Sequence, residues 1–114
     1  MNRIQIPTSY GYNHFLPFTW QEVIRMEGQN NYTLFVLQNG KKYTSTKTLG
    51  SYEAFLPPEF VRIHKGCIIH QASIEKICEV TKRIILTDGF AHPVARRRWG
   101  ELKREVLANN DYYQ

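Results

Sequence analysis

Two dipeptides, Asn39-Gly40 and Asp88-Gly89, restrict what this chain can fold into more than any other feature. Each lies between runs rich in aromatic and β-branched residues. A two-residue link of this kind between strand-like runs is the strongest local sign of a β-hairpin, its two central residues taking positive φ. The first link joins residues 31–38 (NYTLFVLQ), apolar enough for a strand buried on both faces, to 41–46 (KKYTST). The second joins Arg83–Thr87 to Phe90–Val94, where Pro93 cannot donate to a ladder and so marks an end or an edge. Upstream, Ile74–Thr81 (IEKICEVT) is a further strand, with Ile74, Cys78 and Val80 expected on one face.

Helix is scarce. Thr48 can cap a short helix through Leu49, Tyr52, Phe55 and Leu56, which Pro57-Pro58 stops. Arg97–Leu107 places Trp99, Leu102 and Val106 near one face, with Arg98, Glu101, Lys103 and Arg104 largely outside it. The 114 residues suit one domain. The expected fold is therefore mostly β, with one short internal helix and a C-terminal helix. The polar tail, 109–114, is expected to fray.

The formal net charge is +5, unevenly placed. Residues 1–61 hold five Lys/Arg against four acids, whereas the remainder holds ten against six. Arg96 to Arg104 is densest, with five cations and one acid, Glu101. Such a cluster is either a solvated face or the electrostatic footprint of a polyanion binder. No apolar run approaches the ~20 residues of a membrane helix, and the N-terminus lacks the pattern of a secretory signal, so a cytoplasmic protein is expected. Cys67 and Cys78 are too few for a disulfide scaffold, and their apolar neighbours suggest small buried hydrophobes.

The stretch RIHKGCIIH, residues 62–70, offers His64, Cys67 and His70, all ligand types that zinc accepts. Read as one strand, it sends His64 and Cys67 to opposite faces and separates His64 from His70 by roughly 20 Å. A helix does not converge them either, at about 100° per residue. Cysteine catalysis needs a thiolate beside a base, and the alternation denies Cys67 both histidines. Nor does a paired-carboxylate or His-Glu pattern accompany His64 and Asp88. Neither enzyme activity nor a metal, cofactor or small-molecule substrate is expected. Gly66 suggests a bulge that lifts Lys65 out at a sheet edge. His64, beside Val61, Ile63 and Ile69, is expected to pack. Tyr10, Tyr12, Tyr32, Tyr43 and Tyr52 could stack on single-stranded bases, but tyrosines in strands are mostly core and cross-strand pairs.

The order of these features resembles the LytTR DNA-binding domain. Trp20-Gln21-Glu22-Val23-Ile24-Arg25-Met26-Glu27-Gly28, then Asn31-Tyr32 and a strand, then the Asn-Gly hairpin, is similar to that domain's start. The short helix with Leu49 and Leu56 follows in place. Phe60 to His70 resembles its middle signature, and Ile74–Ile77 and Pro93-Val94-Ala95-Arg96-Arg97 resemble the remainder. Gly66 replaces the usual serine, Cys67 an aromatic, His70 an asparagine and Ala95 a serine. The resemblance spans about Phe15 to Leu107, so residues 15–108 are taken as the domain, 1–14 as a lead-in and 109–114 as a tail.

The resemblance implies an elongated antiparallel β-strand arrangement whose loops enter successive major grooves of double-stranded DNA. It implies a bacterial transcriptional regulator binding as two copies on paired sites. With no room for a receiver domain before Phe15, such a chain is either free-standing or an excised output domain. Control by a separate sensor or a membrane-bound inhibitor is known among such relatives. By position, Asn31, Lys65 and Arg97 carry over as loop contacts and Arg83 as a phosphate contact. Chemistry agrees. Arginine offers a forked donor pair to guanine, asparagine can pair with adenine, and Lys65, Arg96 and Arg98 suit phosphates. The alternatives are a basic β module for RNA or single-stranded DNA, and a protein-interaction domain.

Overall fold

Strand-forming runs and their turns dictate the architecture. A computed structural model describes residues 3–7 and 13–107; the tail 109–114, Tyr10 and Tyr12 lie outside the described residues. Among the described residues there are ten strands: β1 (Gln5–Pro7), β2 (Asn13–Phe15), β3 (Val23–Gln29), β4 (Tyr32–Leu37), β5 (Lys42–Ser45), β6 (Phe60–His64), β7 (Cys67–His70), β8 (Ile74–Cys78), β9 (Arg83–Leu86) and β10 (Ala91–Pro93). Two α-helices, α1 (Leu49–Glu53) and α2 (Arg96–Leu107), and two 3-10 turns, Trp20–Glu22 and Gln71–Ser73, complete the set. All strand pairs are antiparallel, in sheets ordered β1-β2, β5-β4-β3-β7-β6 and β10-β9-β8. The molecule is elongated, 46 × 27 × 23 Å.

Both expected hairpins form, but not with two-residue turns. Gly40 and Gly89 each have φ +86, while Asn39 and Asp88 do not adopt positive φ. Gly40 N–H donates to Leu37 O and Leu37 N–H to Lys41 O; Gly89, Leu86 and Phe90 repeat the pattern. Each turn is thus a three-residue loop closed by a glycine in the left-handed region. The side chains of Asn39 and Asp88 accept from Lys41 N and Phe90 N, at 2.9 and 3.1 Å.

The five-stranded sheet is covered on both faces, which explains its continuous apolar runs. In β7, Ile68 joins a core with Met26, Phe35 and Tyr52, under α1 and the β1-β2 pair. Cys67 and Ile69 join the opposite core with Ile63, Ile84 and Leu102, beneath the small sheet and α2. Ile4 and Ile6 are buried in the first core, so this N-terminal segment packs as part of the folded unit. α1 is shorter than expected: Thr48 caps it by accepting from Ser51 N, and it ends before Phe55 and Leu56, which still pack on the core.

Two local expectations need correction. The stretch at residues 62–70 is not one strand. It folds back at Lys65-Gly66, and His64 pairs with Cys67. His70 then lies three residues further along, roughly 10 Å, still beyond what bonds of ~2 Å to one zinc can span. Secondly, Cys78 is exposed and Val80 is 91% exposed. A register shift between Ile74 and Lys76 moves Ile77 into the core in place of Cys78. His70 caps the 3-10 turn Gln71–Ser73: its Nδ1 accepts from Ala72 N at 3.1 Å, and its ring meets Phe60 edge-on. Burial lowers its pKa, with Glu59 pulling the other way. It thus supplies the acceptor that asparagine supplies at a helix start.

Candidate nucleic-acid interface

Two β-turns meet at one end of the five-stranded sheet. Asn30-Asn31 links β3 to β4, with Gln29 paired to Tyr32. Asn30 takes φ +56, a conformation asparagine tolerates better than most residues. Lys65-Gly66 links β6 to β7, and because β7 runs antiparallel to β3, its start lies beside the end of β3. Gly28 N donates to Gly66 O at 2.9 Å, tying the two turns together. Asn31 and Lys65 are exposed. Between the turns lies a recess of about 400 Å³, whose lining includes Asn30, Thr48, Gly50, Arg62 and Lys65.

His64 and Arg62 brace the second turn. His64 Nδ1 accepts from Gly66 N at 3.1 Å, a packed role as expected. Arg62 donates to the carbonyl oxygens of Lys65 and His64 and pairs with Glu53 of α1 at 2.5 Å. The other oxygen of Glu53 lies 3.9 Å from Arg98. One carboxylate therefore links the turn to the first helical turn of α2. Ala95 N reinforces this by donating to Ile63 O at 2.8 Å.

In α2, Leu102 and Val106 are buried while Arg96 and Arg97 are exposed. Arg97 lies about 140° around the helix from Leu102, so it points away from the core. Arg83 stands apart. Ile84 and Leu86 of β9 enter the core, so Arg83 belongs to the outer face of the small sheet. Sequence reasoning missed Glu53, Arg62 and Lys82, whose ammonium lies 4.9 Å over the Trp99 ring. Only Lys82 had a local signal, as a charged turn residue before a strand; the other two depend on a contact nine residues away.

The thiol of Cys67 is unsuited to nucleophilic chemistry. Burial and the Glu27 charge, against the opposing Arg25, push it up to about 12. Tyr52 is buried, ring to ring with Phe35 at 5.1 Å, and its hydroxyl bonds Ser45; Tyr43 packs on Phe18. Tyr32 alone of these three is exposed. No helix among the described residues is long and apolar enough to cross a membrane.

A mostly antiparallel domain that gathers exposed turns beside a basic helix start matches a known class, the DNA-binding domains of transcription regulators. The family model described as the LytTr DNA-binding domain matches residues 13–106, and the chain belongs to the LytTR family. Among solved structures it is similar to the LytTr DNA-binding domain of a methyl-accepting/DNA response regulator from Bacillus cereus. That likeness has a TM-score of 0.73 at 18% identity, over 93% of this chain and 97% of that one. Comparison with curated proteins finds no match.

Proposed function

We propose that this domain binds double-stranded DNA sequence-specifically as part of a bacterial transcription regulator, with its turns entering successive major grooves. The observation that carries this reading is the shared edge: two turns on one recess, linked through Glu53 to the start of α2. Asn31 and Arg97 are the base readers, for adenine and guanine respectively. Lys65, Arg96 and Arg98 neutralise phosphates and fix register without reading sequence. Arg83 meets a phosphate only where the duplex continues past the small sheet. Two copies occupy paired sites.

Selection from random duplexes supplies a cognate site for testing. Affinity for that duplex should fall with salt, with a slope of about −0.9 per phosphate neutralised. Lys65→Ala should weaken cognate and scrambled duplexes alike and reduce the slope by about one. A preference for unpaired oligonucleotides, or no salt dependence, would reject the reading.

Glu53→Gln should act in the opposite direction. Glu53 holds Arg62 and Arg98 in ion pairs in the free domain. Without that carboxylate Arg62 becomes available to phosphates, and Arg98 meets them without a competing ion pair. Affinity for any duplex should rise and the salt slope should steepen by up to about 0.9 for each arginine engaged. Unchanged slopes would mean that neither arginine reaches DNA.

A further inference from the structure

We propose that the outer face of the β8-β9-β10 sheet binds a small amphipathic carboxylate, its apolar body over Ile85 and Val80 and its charged end at Lys76 and Arg83. This goes beyond the DNA-binding reading and does not depend on it. The face is concave, an open depression of about 600 Å³, within the ~300–1,000 Å³ typical of small-molecule sites. Lys76 and Ala91 both pair with Ile85, so the three lie in a row across the sheet. Val80 overhangs from the adjoining turn, 91% exposed. An exposed β-branched side chain beside a half-buried isoleucine is apolar surface that a ligand would remove from water.

Charge selects the ligand class. Among the described residues, neither Lys76 nor Arg83 has a carboxylate within ion-pair distance. Glu79, also on the concavity, is paired with Lys103 at 2.9 Å, and the hydrogen bond and charge of Lys103 hold its carboxyl below the usual range. The uncompensated charge is therefore positive. Size argues against a second protein copy as the occupant. Strands of five, four and three residues present a face on the order of 200 Å². A stable protein interface needs about 800 Å² per partner.

Cys78 lines the same concavity and is exposed, so it can report occupancy. Hydrogen bonds from Thr81 and Val80 and the Lys82 charge lower its pKa despite slight desolvation, favouring the reactive thiolate. Cys67 is buried and stays silent in the folded protein. The rate of Cys78 alkylation by neutral iodoacetamide should fall about tenfold when decanoate is present at ten times its dissociation constant. Decyltrimethylammonium should leave the rate unchanged. Protection should vanish in Lys76→Gln/Arg83→Gln, with an unchanged thermal midpoint. Three results would overturn the proposal: no protection by decanoate, equal protection by the cationic amphiphile, or protection that grows with protein concentration alone. The last would mean that a second copy covers the face.

Discussion

Arg25→Ala is expected to destabilise the domain by about 3 kcal/mol, lowering the thermal midpoint by roughly 12 °C. Arg25 leaves β3 buried, at 7% exposure, and its guanidinium meets Glu27 two residues along the same strand and Asp88 and Phe90 far away in sequence. Nε bonds Glu27 at 2.8 Å, Nη1 bonds Asp88 at 2.6 Å, and the plane lies 3.6 Å from the Phe90 ring centre. Breaking a buried pair by removing one partner costs about 3–5 kcal/mol, because the other charge stays behind. Here the carboxylates retain side-chain exposures of 26% and 30%, which argues for the lower end. Arg25→Lys should fall between wild type and alanine, since it keeps the charge but loses the fork and the stack. Chemical denaturation of the three proteins decides the matter. A loss below about 1 kcal/mol for alanine would place Arg25 among exposed pairs of little value.

The same contact predicts a pH effect. Burial alone would raise the Asp88 pKa, but the Arg25 hydrogen bond and charge, with the Phe90 amide, outweigh it and hold the carboxyl below its ordinary value. A depressed carboxylate contributes stability above its unfolded pKa and loses it as pH falls through the folded one. Acid should therefore weaken the wild-type domain through Asp88, and this part of the pH dependence should shrink in Arg25→Ala.

Arg25 also marks where sequence reading stops. The strands flanking the two turn dipeptides and both helices were legible because periodicity and turn chemistry are local, whereas β1 lay within the expected lead-in and β6 and β7 read as one strand. Asp88 was legible only as a turn residue: its bond to Arg25 spans 63 positions and leaves no local trace. Cys78 was misplaced because one register shift in β8 reverses which side chains face the core, and the eight-residue pattern Ile74–Thr81 does not reveal a bulge. Lys65-Gly66 looked like a bulge because a two-residue turn and a bulge both favour glycine; the pairing of β6 with β7 decides between them. In the candidate interface, Asn31 and Lys65 stood out as turn residues. That their two turns flank one recess, lined by Asn30 and Lys65, follows from β7 lying beside β3, a topological fact. Arg83 falls on another face for the same reason.

Arg97→Ala should separate stability from recognition by moving them in different directions. Three consecutive arginines open α2, and its first turn holds no acid. Cations there face the positive end of the helix dipole, an unfavourable placement of about 0.3–1 kcal/mol each. Arg97 is exposed and points away from Leu102, so its removal should leave the midpoint unchanged or slightly raised. Recognition should suffer instead. A forked arginine–guanine contact contributes about 1–3 kcal/mol of discrimination, so the preference for cognate over scrambled duplex should drop by about five- to 150-fold. Arg97→Lys is the sharper control. It retains the charge, so the salt slope should hold, but it lacks the planar fork, so discrimination should still fall. If lysine preserved the cognate preference, Arg97 would be a phosphate contact. If alanine preserved it as well, the base reader would lie elsewhere on the edge, with Asn31 the next residue to test.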